Sequence, residues 1–303
     1  MNNIPEVQNQ EPQQRLLWAR RNLYTTGKRI LSAQLILTLA IPILGSILSI
    51  WLTALKPYVA LVSLVIAVLD PTIFDRWQKK IRSQAARLQE QFDCAVLSLP
   101  WDEFTAGRRE EYETIHQLST SFDPHHPDPK LLDWYPQIVG TVPLHLARII
   151  CQRTNLWYDG KLRRQYAGWA LALTIALTFL LLGIAIYTGL TVESFVVSVL
   201  APASPIIIWG LREHFRQRDT ADSLDGLRHA AEALWERGRS GACAEEECTR
   251  QSRQFQDGIF ERRSSSPLIF SWIYNLRRNT LEQSMNKGAE ELIREITVNT
   301  LAT

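Results

Sequence analysis

A chain of 303 residues with 33 basic and 31 acidic side chains carries a formal net charge of only +2. That near balance leaves no surplus of positive charge for gripping a DNA or RNA polymer. With 46% hydrophobic residues and a slightly negative mean hydropathy, the totals alone would suit one or two ordinary soluble domains. The apolar residues are segregated, however, into two windows nearly free of charge, residues 30–74 and 167–211.

Residues 1–14 are dominated by Asn, Gln and Pro and read as disordered. Leu16, Leu17, Leu23 and Tyr24, set among Arg15, Arg20 and Arg21, predict a short interfacial helix that feeds the first apolar run. That run extends from Ile30 to Leu52; Lys56 and Pro57 mark a turn, and a return run extends from Tyr58 to Phe74. About 18 apolar residues suffice to span ~30 Å of hydrocarbon as a helix, so the window predicts a transmembrane hairpin. Beyond it, Arg76 to Phe92 are strong helix formers, with Ile81, Ala85, Leu88 and Phe92 recurring at three and four. The second span should therefore continue as a helix of ~35 residues, bent at Pro71.

The proline-rich segment 123–143 reads as a structured loop or a linker. A second hairpin follows, from Ala167 to Thr188 and from Val192 to Leu211, joined by the short loop Gly189 to Thr191. Leu224, Leu227, Ala231, Leu234 and Trp235 carry the fourth span on as a helix to about Arg239. Another helix opens on Glu245, Glu246 and Glu247 and closes on Arg262 and Arg263, as the helix dipole favours. Ser264 to Pro267 break it. A last helix, Arg277 to Thr300, lines up Leu281, Met285, Ala289, Leu292 and Ile296.

Nothing alternates with period two, so the expected fold is all-α. It is a polytopic membrane protein with four transmembrane helices in two hairpins, at 30–74 and 167–211. The remaining segments, 1–29, 75–166 and 212–303, build a helical cytoplasmic part. Lys and Arg number 5, 13 and 14 in those three segments, against a single Lys56 between spans. Positive charge stays inside, which predicts N-in and C-in. Trp51, Tyr58 and Tyr187 then mark the outer edge, and Trp77, Trp169 and Trp209 the inner one. A cleaved signal peptide is the competing reading of the first window, but the run is too long and lacks a small-residue cleavage site.

No GxGxxG, Walker loop, GxSxG, HExxH or EF-hand is present, and the sequence asks for no catalytic residue, cofactor or metal. His125 and His126 between prolines form no recognisable ligand set. Cys94, Cys151, Cys243 and Cys248 fall in the predicted cytoplasmic parts and read as reduced and structural. Asp70 is the ionisable group well inside an apolar run, and it precedes Pro71. It is either a functional carboxylate on an ion path or a cap on the helix that Pro71 restarts. Gln34 with Thr38, Ser46 with Ser49 and Thr53, Thr174 with Thr178 and Ser194 with Ser198 form polar stripes. They serve close helix packing or the wall of a pore in an oligomer.

Aromatic and basic residues concentrate in RSQAARLQEQFD (82–93), LPW (99–101), LLDWY (131–135) and CQRTNLWYDGKLRRQY (151–166). Such a mixture suits a nucleotide pocket, and equally the core of a helical domain with positive-inside charge. In this order, between two apolar hairpins, these segments resemble the SMODS-associated four-transmembrane effector family. RDTADSLDGLRHAAEALW (218–235) and RQSRQFQDGIFERRSSSP (250–267) are similar too.

The resemblance implies an effector of bacterial anti-phage systems of the cyclic-oligonucleotide (CBASS) type. Such an effector binds a cyclic nucleotide on the cytoplasmic side, assembles as a homo-oligomer and perforates the inner membrane. On that reading the ligand candidates are Trp101, Trp134, Tyr135, Arg153, Arg163 and Arg164, with Asp159 placed to hold one of the arginines. The ligand would act in 75–166, alone or with the C-terminal helices, and move the long helices; Asp70 and Pro71 are the membrane or gating candidates. A non-conducting receptor that recruits a protein partner, or a membrane enzyme with an unfamiliar site, are the alternatives.

Overall fold

The computed structural model describes residues 1–41, 44–45, 52, 54, 56–196 and 200–301, and every regular element among them is helical. Helix α1 is Ile4–Val7; α2, Glu11–Leu35, carries Pro12 in its first turn, where a missing N–H costs nothing. It runs on into a π-turn, Ile36–Ala40. Helix α3, Lys56–Leu69, passes through a second π-turn, Asp70–Phe74, into α4, Asp75–Val96. The short helices α5 (Glu103–Ala106) and α6 (Tyr112–Leu118) and a 3-10 turn, Gln137–Thr141, lead to α7, Leu144–Tyr187. Then come α8 (Val192–Phe195), α9 (Ala201–Arg239), α10 (Glu245–Ser265) and α11 (Ser271–Leu301).

The long helices pair antiparallel. Along α7 and α9, Arg163 meets Gln217, the Ala167 carbonyl meets His214 Nδ1 at 2.8 Å, and Thr174 lies against Gly210. Leu146 at one end of α7 lies against Gly238. Along α2 and α4, Arg20 donates to Gln89, Gly27 faces Ile81, and Gln78 donates to Gln34. Glycine sets the closest approach: a Cβ at Gly210 would overlap Thr174 Oγ1. Gly210→Ala is therefore expected to destabilise the α7–α9 pair by about 1–3 kcal/mol, the cost of overpacking. A lower thermal midpoint in detergent, recovered by adding Thr174→Ala, is the expected result.

At one end the helices enclose a core. Leu17, Leu88, Phe92, Leu97, Ile149 and Ile150 have no exposed surface, and Tyr135 and Leu234 almost none. At the other end the apolar side chains face outward: Leu61, Leu64, Phe179, Leu180 and Ile186 are 59–73% exposed. Among the described residues, α7 is long and apolar enough to cross a membrane by length and composition. Its turn into α8 is tight: Gly189 takes φ +65, and Thr191 caps α8 by accepting from Ser194 N at 3.2 Å.

Several expectations need correction. Residues 1–14 are ordered, because their amides substitute for backbone partners along the proline-rich segment. Asn2 Nδ2 donates to the Val139 and Val142 carbonyls at 2.7 and 2.8 Å. Gln8 bonds both the N–H (2.7 Å) and the carbonyl (3.2 Å) of Tyr135, and Gln14 bonds the Leu131 carbonyl at 3.2 Å. Segment 123–143 is accordingly a structured loop. Leu16, Leu17 and Leu23 lie in the core rather than at an interface. The helix that contains the span expected from Ala167 begins earlier, at Leu144, so α7 as well as α4 and α9 joins the body to the apolar end. The last helix begins at Ser271 rather than Arg277.

Asp70 does not occupy an N-cap position, since the backbone stays helical from 56 through 96 and absorbs Pro71 in the π-turn. The side chains of Asp70 and Pro71, and residues Ser46, Ser49, Trp51, Thr53 and Ser198, lie outside the described part. Of the polar stripes, Thr38, Thr174 and Thr178 each donate to the carbonyl four residues back.

Candidate functional site

A buried polar network ties α4 to α10. Helical spacing puts Gln89 and Asp93 on one face of α4, with Glu90 and Cys94 beside them, and Arg253, Gln256 and Arg263 on the facing side of α10. Asp93 is fully buried. Its Oδ1 accepts from Gln89 Nε2 and Tyr135 Oη, each at 2.8 Å, and its Oδ2 from Gln256 Nε2 at 3.0 Å and from Arg263. Burial opposes the Arg263 cation, yet Asp93 beside it lifts its pKa above the ordinary value. Glu90 accepts from Arg253 at 2.6 Å and Gln256 at 2.8 Å, while burial and then Asp93 push its pKa up. Charge meets counter-charge here, which fits a structural role.

A few ångströms away the balance fails. The Arg20 guanidinium lies 4.4 Å from the Trp134 ring centroid and 5.6 Å from that of Tyr24. It donates to Gln89, but its Nε is buried without a partner. Burial lowers its pKa. Lys28 Nζ sits 5.7 Å from the Tyr274 ring; burial, then Arg20, pull it down to about 8. Arg82 reaches the Ser266 carbonyl at 3.5 Å and leaves its Nε unpartnered, as do Arg277 Nε and Trp134 Nε1.

Among the described residues, none of Arg20, Lys28, Arg82 and Arg277 has a carboxylate within ion-pair distance, whereas Arg253, Arg263 and Arg278 do. A buried donor left unbonded costs ~1–3 kcal/mol, and Arg20 Nε and Trp134 Nε1 are two such donors on side chains in contact, which leaves a place for an acceptor. Unspent cations with aromatic faces suit an anion that also carries a flat ring, such as a nucleotide phosphate with its base.

The six residues expected from the sequence are not brought together. Trp134 belongs to this cluster. Tyr135 is sealed within the Asp93 network. Trp101 donates from Nε1 to the Gly107 carbonyl at 2.9 Å and lies under Arg109. Arg153 pairs with Glu232 at 3.0 Å beside a cleft of about 10 Å³ lined by Ile149, Ile150, Trp235 and Leu292, room for about one water molecule. Arg163 is held by Asp159 at 2.9 Å, Gln217 at 2.8 Å and the Pro267 carbonyl at 3.0 Å. Arg164 pairs with Asp222 at 3.0 Å and with Asp225. Those three arginines are already neutralised. Sequence reasoning passed over Arg20, Tyr24 and Lys28, although they recur at four-residue spacing on one face of α2.

The chain matches the family described as the SMODS-associating 4TM effector domain over residues 2–292. It is also 22% identical over 294 residues to a Bacillus cereus (strain VD146) protein named a probable CBASS effector molecule. That match covers 92% of this chain and 95% of the relative. No solved structure matches it.

Proposed function

Because the chain belongs to the SMODS-associating 4TM effector domain family, we propose that it is an anti-phage membrane effector opened by a cyclic oligonucleotide bound at the Arg20–Lys28–Trp134–Tyr274 cluster. The observation that carries this reading is the half-buried pair Arg20 and Lys28, packed against the Trp134, Tyr24 and Tyr274 rings with no carboxylate within ion-pair distance among the described residues. The four apolar segments cross the inner membrane as two hairpins with both chain ends inside, and several copies assemble around the opening. Arg20 faces Gln89 on α4 and Trp134, and Lys28 faces Tyr274 on α11, so a ligand seated among them would wedge α2 away from α4 and α11. The α2 rotation passes to the apolar end through the π-turn at 36–40, a helical defect of the kind that serves as a hinge.

The test is dye release from vesicles containing the purified protein, with and without a panel of cyclic oligonucleotides. Release that needs the ligand is expected; release that ignores it, or none, overturns gating. Binding should also depend on pH. With the site empty, Lys28 loses its proton near pH 8, whereas the unfolded chain holds it to the ordinary lysine value, so stability rises with pH between the two. A bound phosphate favours the protonated form, and ligand affinity should weaken as pH rises through about 8. Lys28→Met should flatten that dependence in a binding titration at pH 7 and pH 9.

A further inference from the structure

The corner between α10 and α11 sits where the long helices leave the body. The Pro267 carbonyl accepts from Arg163 at 3.0 Å, and the Leu268 carbonyl from Gln217 at 3.4 Å. The Leu268 side chain closes on Gly27 together with Ile81. Residues 267–268 thus mark one level at which α2, α4, α7 and α9 all pass.

From that level α11 descends into the body. Ile269 and Ile273 pack with Leu162 and Tyr166 at its start, and Gly288 lies by Arg153 further down. Its first turns are therefore the part nearest the apolar end. There Trp272 is 55% and Leu276 62% exposed, four residues apart on one helical face. Trp77, Trp169 and Phe215 on α4, α7 and α9 are exposed as well. These three lie on the apolar side of the shared level, at most six residues or ~9 Å from it, and Trp272 and then Leu276 follow just on its other side.

We propose that Trp272 and Leu276 form an interfacial anchor that seats the α10–α11 corner in the headgroup layer of an anionic phospholipid bilayer. Tryptophan at a polar–apolar boundary is the residue such a layer favours. Arg29, Arg76, Lys79, Arg212 and Arg216, all exposed, supply charge complementary to lipid phosphate. The proposal rests on the membrane reading above and deepens it. Tyr274, between the two anchor residues in sequence, faces Lys28, so the helix that lines the ligand cluster is also held by the bilayer surface. Parting α11 from α2 then means moving against lipid.

The test uses the full chain in vesicles of phosphatidylethanolamine and phosphatidylglycerol, with a nitroxide on Trp272→Cys or Leu276→Cys. Both sites are exposed and the four native cysteines are buried, so labelling leaves the fold undisturbed. Collision with dissolved oxygen should exceed collision with an aqueous nickel chelate several-fold at both positions. Thr141→Cys, exposed at the far end of the body, should show the reverse. Nickel access at 272 and 276 equal to that at 141 overturns the anchor. So does loss of access to both reagents, which would mean that a second copy of the chain covers the face. Leu173→Cys, on the apolar flank of α7, separates the failures. If the label at 173 meets oxygen and those at 272 and 276 meet nickel, the anchor fails alone. If all three meet nickel, the membrane reading falls with it.

Discussion

Replacing Arg263 with methionine is expected to destabilise the protein by about 3–5 kcal/mol, the usual cost of leaving one partner of a buried ion pair unpaired. Asp93 is fully buried, and Arg263 is the cation bonded to it. The donors that would remain, Gln89, Tyr135 and Gln256, are neutral and cannot balance a full charge. The loss should appear as a much lower thermal midpoint in detergent. Adding Asp93→Asn should recover most of it, because the charge then disappears while Oδ1 still accepts from Gln89 and Tyr135. A single variant as stable as the parent would show that water reaches Asp93.

Replacing Arg20 with methionine should have the opposite profile: a retained fold and a lost response. Among the described residues no carboxylate lies within ion-pair distance of Arg20, and burial disfavours its charge more than the more distant Asp93 supports it. Methionine fills a similar volume between Trp134 and Tyr24, and Gln89 keeps its bond to Asp93. A ligand phosphate, by contrast, loses a charge-assisted contact of ~1.5–3 kcal/mol, equivalent to about ten- to a hundredfold in affinity. Ligand-dependent dye release should fall accordingly while the thermal midpoint of the empty protein holds or rises. Undiminished release would remove Arg20 from the site and leave the membrane reading intact. The two substitutions exchange the same residue type within one neighbourhood, and only the presence of a counter-charge distinguishes them.

Helical periodicity served well where one helix alone decides the answer. The stripe Ile81, Ala85, Leu88 and Phe92 does mark the inner face of α4, and Leu281 and Ala289 the inner face of α11. It served less well at boundaries. Residues 144–166 carry Arg148, Arg153, Arg163 and Arg164, and nothing local says that one helix joins this charged stretch to the apolar run after it. The tail erred in the other direction. Asn2, Gln8 and Gln14 look like the composition of a disordered segment, yet their amides reach backbone groups more than a hundred residues away.

The sequence by itself determined the helical class, the two apolar windows and the family, since hydropathy, propensity and the order of short motifs are local properties. Only the tertiary structure decided which cations are spent. Arg163 and Arg20 read alike as letters. One is neutralised by Asp159 four residues before it and by a carbonyl more than a hundred residues after it. The other meets aromatic rings, and among the described residues no carboxylate lies within ion-pair distance of it. Charge compensation falls off within a few ångströms and takes no account of distance along the chain, so it becomes readable only once the helices are packed.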